Sequence, residues 1–179
     1  MNSFPSPTIR TSRLDLREIG ADDLALLREV GAAAPEALPP GVPSTPDELA
    51  KWFADSMYAA PRDTAVHMIM LDRASGEMVG AIGVFHADWE VRSAEIGYGV
   101  RAGERGKGYA TEALAGVAGW LLTHGGVQRA WLTANTDNTA SVKVAEKAGF
   151  RREGTMRRAA KEDDGLHDLA VFALLDDEL

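Results

Sequence analysis

A glycine-rich turn carries the clearest chemical signal in the sequence. It runs Arg105-Gly-Lys-Gly-Tyr-Ala110, directly after a predicted strand and at the start of a predicted helix. The free backbone N–H groups of a first helical turn and the positive end of the helix dipole attract an anion. Gly106 and Gly108 let the backbone approach a phosphate closely, and Arg105 and Lys107 add positive charge. The spacing therefore predicts a phosphate-binding turn.

Two common phosphate loops do not fit this turn. A Walker loop requires Ser or Thr after Gly-Lys, but Gly108 follows Lys107. A dinucleotide fingerprint would need glycine at Thr111 and an acidic ribose ligand about 20 residues further on, where the sequence offers no clear one. A tight turn that only starts a helix stays open as the alternative.

The elements around the turn follow from hydrophobic periodicity. Strands are predicted at 13–18, 64–71, 78–85, 93–100, 129–133, 150–156 and 167–174. Helices are predicted from Asp22, from Ser44 or Thr45, and over 106–123 and 138–148, with a proline-rich break over 35–46. This order predicts an α/β (α+β) fold: one mixed sheet with helices on both faces, in a single domain spanning residues 1–179.

The composition excludes several classes of protein. The 179 residues contain no cysteine, which rules out disulfide scaffolds and thiol nucleophiles. The 19 basic and 27 acidic residues give a net charge of −8, which disfavours nucleic-acid binding. No apolar stretch reaches ~18 residues and no signal peptide is recognised, so we expect no membrane segment and a cytoplasmic location. The four histidines lack ligand spacing, so no metal is expected, and both a monomer and a homodimer stay open.

Several segments together resemble one enzyme family. Arg105-x-x-Gly108-x-Ala110 resembles the Gln/Arg-x-x-Gly-x-Gly/Ala signature of the GNAT N-acetyltransferases, whose loop holds the pyrophosphate of acetyl-CoA. The segments at 11–17 and 94–98 resemble the opening strand and the fourth strand of this family. The segments at 138–141 and 146–150, followed by Glu153-Gly154 and Arg157, resemble the RimJ/RimL type, which acetylates protein N-termini, notably of ribosomal proteins. The resemblance covers nearly the whole chain. It implies the acyl-CoA N-acyltransferase fold, with a mostly antiparallel sheet, and acetyl-CoA as cosubstrate.

A slot for the pantetheine arm of coenzyme A is expected between two central strands that splay apart. The strand ending at Val100 and the strand at 129–133 flank the helix of the turn, and splayed strands expose backbone groups that can bond the amides of the arm. Gly97 and Gly99 indicate a close backbone approach there. The resemblance implies a cofactor-binding set made of Tyr98, Gly99, Val100, Arg105, Gly106, Lys107, Gly108, Tyr109, Ala110 and Asn138.

Acetyl transfer to an amine requires a base, a donor to the tetrahedral oxyanion and a proton for the leaving thiolate. Without cysteine or a Gly-x-Ser-x-Gly elbow, transfer would be direct, and a backbone N–H near Gly99 and Val100 could hold the oxyanion. Glu95 is the candidate catalytic base, with an ordinary strand position as the alternative, and His86 and Glu90 are weaker candidates. Trp89, in a predicted loop, is a candidate wall for the acceptor.

The proton donor departs from the wider family. Many members carry a tyrosine seven residues after the equivalent of Asn138, where this chain has Ala145. The resemblance to the RimJ/RimL type suggests Ser141, one turn into the helix, as the catalytic acid. The alternatives are that Ser141 bonds a first-turn backbone group and that Asn138 only caps the helix.

The acceptor is predicted from the cost of deprotonation. An α-amine with a pKa of about 8 costs roughly 1.4 kcal/mol to deprotonate at pH 7, and a lysine with a pKa near 10.4 costs about 4.6 kcal/mol. A weak base therefore favours a protein or peptide N-terminal α-amine. A small-molecule amine acetyltransferase (aminoglycoside or polyamine) and a non-catalytic acyl-CoA-binding sensor are the alternatives.

Overall fold

One sheet of eight strands organises the molecule. The computed structural model describes residues 3–38, 42–58, 65–162 and 164–179, and for residues 56–58 it describes the backbone alone. The strands are β1 (Thr8–Arg10), β2 (Leu14–Glu18), β3 (Val66–Asp72), β4 (Met78–Asp88), β5 (Ser93–Val100), β6 (Arg129–Asn135), β7 (Arg151–Glu162) and β8 (Gly165–Leu175). They lie in the order β1-β2-β3-β4-β5-β6-β8-β7, and only β5 and β6 are parallel neighbours.

Four helices cover the two faces of the sheet. They are α1 (Leu24–Ala33), α2 (Pro46–Tyr58), α3 (Tyr109–Thr123) and α4 (Thr139–Lys147). Alternation along β3 separates two cores, because Met68 and Met70 pack beneath α3 while Ile69 between them packs beneath α1 and α2. This confirms the predicted mixed sheet with helices on both faces. None of the described helices is long and apolar enough to cross a membrane.

The central strands separate as predicted. β5 and β6 pair only at Ser93 with Arg129, Ala94 with Ala130 and Glu95 with Trp131. Beyond Glu95, β5 continues to Val100 without a β6 partner, while β6 stays paired with β8 as far as Asn135. The two strands therefore enclose a wedge that opens toward the start of α3.

Some predicted boundaries were wrong. The helix α3 begins at Tyr109 instead of 106, because Gly106 and Gly108 adopt φ values of +77° and +86°, which a right-handed helix cannot contain. The strand β1 was not predicted, and β7 extends six residues beyond the predicted end at 156. The predicted strand start at Thr64 and the prolines at 39 and 40 lie outside the described residues.

Candidate active site

The wedge and the glycine-rich turn share one cleft of about 490 Å³. It brings together all the predicted site residues except Lys107 and Glu95, namely Tyr98, Gly99, Val100, Arg105, Gly106, Gly108, Tyr109, Ala110, Asn138 and Ser141. One face of α4, from Ala140 to Lys147, also lines this cleft. One cleft therefore joins the splayed strand, the turn and the start of α4.

The turn presents a run of unused backbone donors. The N–H of Arg105 donates to Ala102 and that of Glu112 to Gly108, but the N–H groups of 106–111 donate to no other residue in the described part of the chain. Such consecutive donors at the positive end of a helix make an anion site. The turn thus has the chemistry that the sequence predicts for it.

The cations around the turn have different roles. The Arg105 Nε donates to the Val100 carbonyl at 3.2 Å, and its guanidinium lies 3.9 Å from Glu36, at the rim of the cleft. The Lys107 ammonium instead bonds Glu104 at 2.9 Å, and Lys107, unlike Glu104, is not among the residues that line the cleft. Lys143 and Lys147 on α4 line the cleft and were missed. Their i, i+4 spacing after Asn138 was the available signal.

Asn138 and Ser141 occupy the first turn of α4 as a cap and its partner. The Asn138 Oδ1 accepts a hydrogen bond from the Ser141 N–H at 3.1 Å, so Asn138 does cap the helix. Both residues also line the cleft, and the Ser141 hydroxyl has no backbone partner among the described residues. The capping role therefore leaves the Ser141 hydroxyl available to a ligand.

Tyr98 places a buried hydroxyl in the same region. Burial raises the pKa of Tyr98, and the nearby Ser141 hydroxyl opposes that rise. The two hydroxyls do not meet at normal hydrogen-bond geometry, and the Tyr98 oxygen has no partner in the described part of the chain. An unpartnered hydroxyl is costly in a buried site, so this one favours a polar ligand or water in the cleft.

The backbone of β5 points donors into the wedge. The Arg101 N–H donates to the Val79 carbonyl on the β4 side at 3.0 Å. Because N–H directions alternate along a strand, the N–H groups of Tyr98 and Val100 point to the opposite edge, where β6 has diverged. Val100 is therefore better oriented than Gly99 to donate to a ligand in the wedge.

Glu95 lies at the vertex of the wedge, on the opposite face of β5 from the buried Ile96. Its Oε2 is 2.7 Å from the Nδ1 of His86, and its Oε1 accepts a 3.4 Å hydrogen bond from Thr133. His86 is directed there by a φ of +48° at a register shift between Phe85 and Asp88. Glu95 and His86, separate candidates in the sequence, thus form one pair.

One small acidic cluster lies elsewhere. At the β7–β8 hairpin, possible metal-ligand atoms lie within 4.8 Å of one another on Glu162, Asp164 and His167. The His167 Nε2 already bonds Asp164 at 2.7 Å, and Glu162 accepts from Asn135 at 2.9 Å. These groups are paired without an ion.

Glu112, in the first turn of α3, is held by the chain segment 11–13. Its Oε1 accepts from the Thr11 hydroxyl at 2.5 Å, the Ser12 hydroxyl at 2.9 Å and the Arg13 N–H at 2.7 Å. Burial raises the pKa of this carboxyl, but the hydrogen bonds from the 11–13 segment lower it more, to about 2. The bonds therefore join the β1–β2 turn to α3 most strongly when Glu112 is ionised.

This linkage predicts a pH dependence of stability. A depressed folded-state pKa contributes stability above the unfolded pKa, and the contribution disappears as the pH falls from about 4.5 toward 2. Glu112→Gln should therefore lower the free energy of unfolding at pH 7 by at most about 3 kcal/mol, and by progressively less below pH 4.5. Urea unfolding at pH 7, 4 and 3 measures this. Parallel pH curves for the two proteins would contradict it.

Comparison with known proteins identifies the domain. Residues 13–151 match the acetyltransferase (GNAT) domain, which is more than three quarters of the chain. The chain belongs to the GNAT acetyltransferase family. This confirms the family that the motifs around Arg105 and Asn138 suggested.

Individual relatives agree with this family. The N-acetyltransferase p20 of Bacillus licheniformis is 31% identical over 103 residues, which span 58% of this chain and 58% of that protein. The RimL ribosomal L7/L12 α-N-protein acetyltransferase in complex with coenzyme A superposes with a TM-score of 0.83 at 21% identity, over 97% of this chain and 100% of RimL. The spermidine N-acetyltransferase of Vibrio cholerae in complex with coenzyme A and spermine gives 0.76 at 18% identity, over 94% and 98%. The two superpositions confirm the predicted acyl-CoA N-acyltransferase fold.

Proposed function

We propose that this chain is an acetyl-CoA-dependent N-acetyltransferase whose acceptor is the N-terminal α-amine of a protein or peptide. The 1–179 chain acts in this proposal as a single N-acetyltransferase domain. The observation that carries the proposal is the single cleft in which the free donors of 106–111, the open edge of β5 and the Ser141 hydroxyl converge.

The described residues fit coenzyme A. The N–H groups of 106–111 and the Arg105 guanidinium suit a diphosphate, and the outward N–H of Val100, next to the turn, suits an amide of the pantetheine arm. Asn138 lines the cleft between these two regions. When bound, the coenzyme supplies an acyl group activated as a thioester.

The chain's own residues then divide three tasks. Glu95 accepts the proton of the incoming ammonium, and His86, whose side chain is 77% exposed, connects that carboxylate to solvent. The outward N–H of Tyr98, which lies nearer to Glu95 along β5 than Val100 does, donates to the oxyanion from a position fixed by the strand. Ser141 donates a proton to the departing thiolate and takes back the second proton that the amine nitrogen loses as the amide forms.

Ligand stabilisation and thiol release test this function. Acetyl-CoA and coenzyme A should raise the Tm, whereas NAD and ATP should raise it less. Thiol release should then be fastest with peptides that have a free N-terminus, compared with N-blocked peptides, spermidine and an aminoglycoside. Stronger stabilisation by ATP or NAD would overturn the coenzyme assignment. Fastest release with spermidine or the aminoglycoside would identify a small-molecule acetyltransferase, and none with any amine would identify a sensor.

Arg105→Ala should weaken binding of coenzyme A by about three- to tenfold, because one exposed charge-assisted hydrogen bond to a phosphate is lost. Titration calorimetry with coenzyme A measures the change in Kd. Arg151→Ala is a matched control, since Arg151 is an exposed arginine at the start of the edge strand β7, pairs with the carboxylate of Glu178 and does not line the cleft. Equal Kd values for Arg105→Ala and wild type would move the diphosphate away from the turn.

A further inference from the structure

Arg13, in the turn between β1 and β2, makes three contacts with the glycine-rich turn and the first turn of α3. Its Nε lies 2.7 Å from Glu112 Oε2, its Nη1 donates to the Lys107 carbonyl at 2.8 Å, and its guanidinium lies 4.8 Å from the centre of the Tyr109 ring. One side chain thus fixes the turn, the first helical residue and the first turn of α3. Arg13 does not line the cleft, so it contacts the turn from behind.

The bond to Lys107 orients the next peptide N–H. In a trans peptide the carbonyl of one residue and the N–H of the next point in opposite directions. Because Arg13 holds the Lys107 carbonyl on its own side, the Gly108 N–H points away from Arg13. Gly108 itself lines the cleft, whereas Arg13 does not. Arg13 is nevertheless close to Gly108, since a Cβ added at Gly108 would lie 3.3 Å from the Arg13 Nη2. Arg13 therefore supports the backbone position whose N–H faces the cleft.

Arg13 also compensates the negative charge of Glu112 near this site. Glu112 is a carboxylate one turn from a proposed diphosphate site, where its negative charge would repel the ligand. All its described hydrogen bonds come from segment 11–13, and the Arg13 guanidinium is the cation paired with it. The carboxylate is therefore compensated on the side away from the cleft.

We propose that Arg13, anchored on Glu112, is a positioning residue for coenzyme binding: it holds the Lys107–Gly108 peptide with its N–H toward the diphosphate. This inference rests on the proposed function, since it takes the turn as the diphosphate site. It extends the coenzyme site to the segment 11–13, which does not line the cleft.

The test compares two acetyl donors. Acetyl-CoA carries the diphosphate and acetyl-pantetheine does not, so an effect through the turn should appear with the first only. Arg13→Met should weaken coenzyme A binding and raise the KM for acetyl-CoA by about tenfold, with kcat little changed. The kcat/KM for acetyl-pantetheine should stay at the wild-type value. Arg13→Lys, which keeps the charge but loses the fork of donors, should give an intermediate Kd.

Two further variants sharpen the test. Arg10→Met is the matched control, because Arg10 lies in the same N-terminal region, pairs with Asp15 at 2.7 Å and has no described contact with the turn. The double variant Arg13→Met/Glu112→Gln should recover part of the lost coenzyme A affinity, since it also removes the uncompensated carboxylate. If Arg13→Met does not fold, as judged by circular dichroism and Tm, Arg13→Lys decides the result.

The possible results distinguish failure of this inference from failure of the proposed function. Equal losses with both acetyl donors would reduce Arg13 to a structural residue, and an unchanged Kd for coenzyme A would remove it from the coenzyme site. Either result overturns the inference. The proposed function would still stand if the wild-type protein binds coenzyme A. Absence of coenzyme A binding in the wild type would overturn both.

Discussion

Ser141→Ala is expected to lower kcat by about 10- to 1000-fold while leaving the Kd for coenzyme A nearly unchanged. The loss falls on kcat because the Ser141 hydroxyl is assigned to protonate the thiolate, which forms only during the reaction. The capping bond survives the substitution, since Asn138 accepts from the Ser141 backbone N–H and not from the hydroxyl. Steady-state thiol release and calorimetry with coenzyme A measure the two quantities.

Two comparisons make this result specific. Thr139→Ala removes another hydroxyl from the same turn of α4, outside the cleft, and should leave kcat at the wild-type value. Tyr98→Phe added to Ser141→Ala should lower kcat further, because the buried Tyr98 hydroxyl beside Ser141 is the nearest substitute proton donor. A kcat for Ser141→Ala equal to that of the wild type would remove Ser141 from the acid role.

Glu95→Gln is expected to lower kcat/KM at pH 7 by about 100- to 1000-fold. The amide keeps the size of the side chain and can still bond His86 and Thr133, so the loss measures the missing base. The defect should shrink as the pH rises past about 8, because an α-amine then loses its proton without help. A pH profile of kcat/KM from 6.5 to 9.5 with a peptide acceptor tests both the size and the sign.

The control for this variant is Glu77→Gln, which changes an exposed glutamate in the turn before β4 and should not alter the profile. A Glu95→Gln defect of the same size at every pH would contradict the base role. It would then indicate that Glu95 orients His86 and Thr133 without accepting a proton.

The sequence was sufficient where local rules determine the structure. Asn138 and Ser141 have the spacing of a helix cap and its N3 residue, so their arrangement follows from neighbouring residues alone. Gly106 and Gly108 likewise marked a turn that needs positive φ angles. The divergence of β5 from β6 was predictable only as a requirement of the ligand, since neither strand's own pattern shows where pairing ends.

Long-range contacts account for what the sequence could not reveal. Trp89 was a candidate wall for the acceptor. In the structure its ring centroid lies 4.9 Å from that of Phe4, a buried residue that is 2% exposed. The strand β7 has no alternation of burial, because nearly all its residues are exposed at the edge of the sheet. Arg13 and Glu112 are 99 residues apart, and no local periodicity connects them.

The short pairing between β5 and β6 has a mechanical consequence. Among the described residues, β5 and β6 pair at only three positions, supplemented by main-chain bonds from Gln128 and Arg129 to Arg92, so main-chain pairing is short along the line between β5 and β6. A molecule hydrogen-bonded to both β5 and β6 would add a connection between the two halves of the sheet. The coenzyme proposed for this position would then stiffen the two halves of the sheet against each other while it is bound.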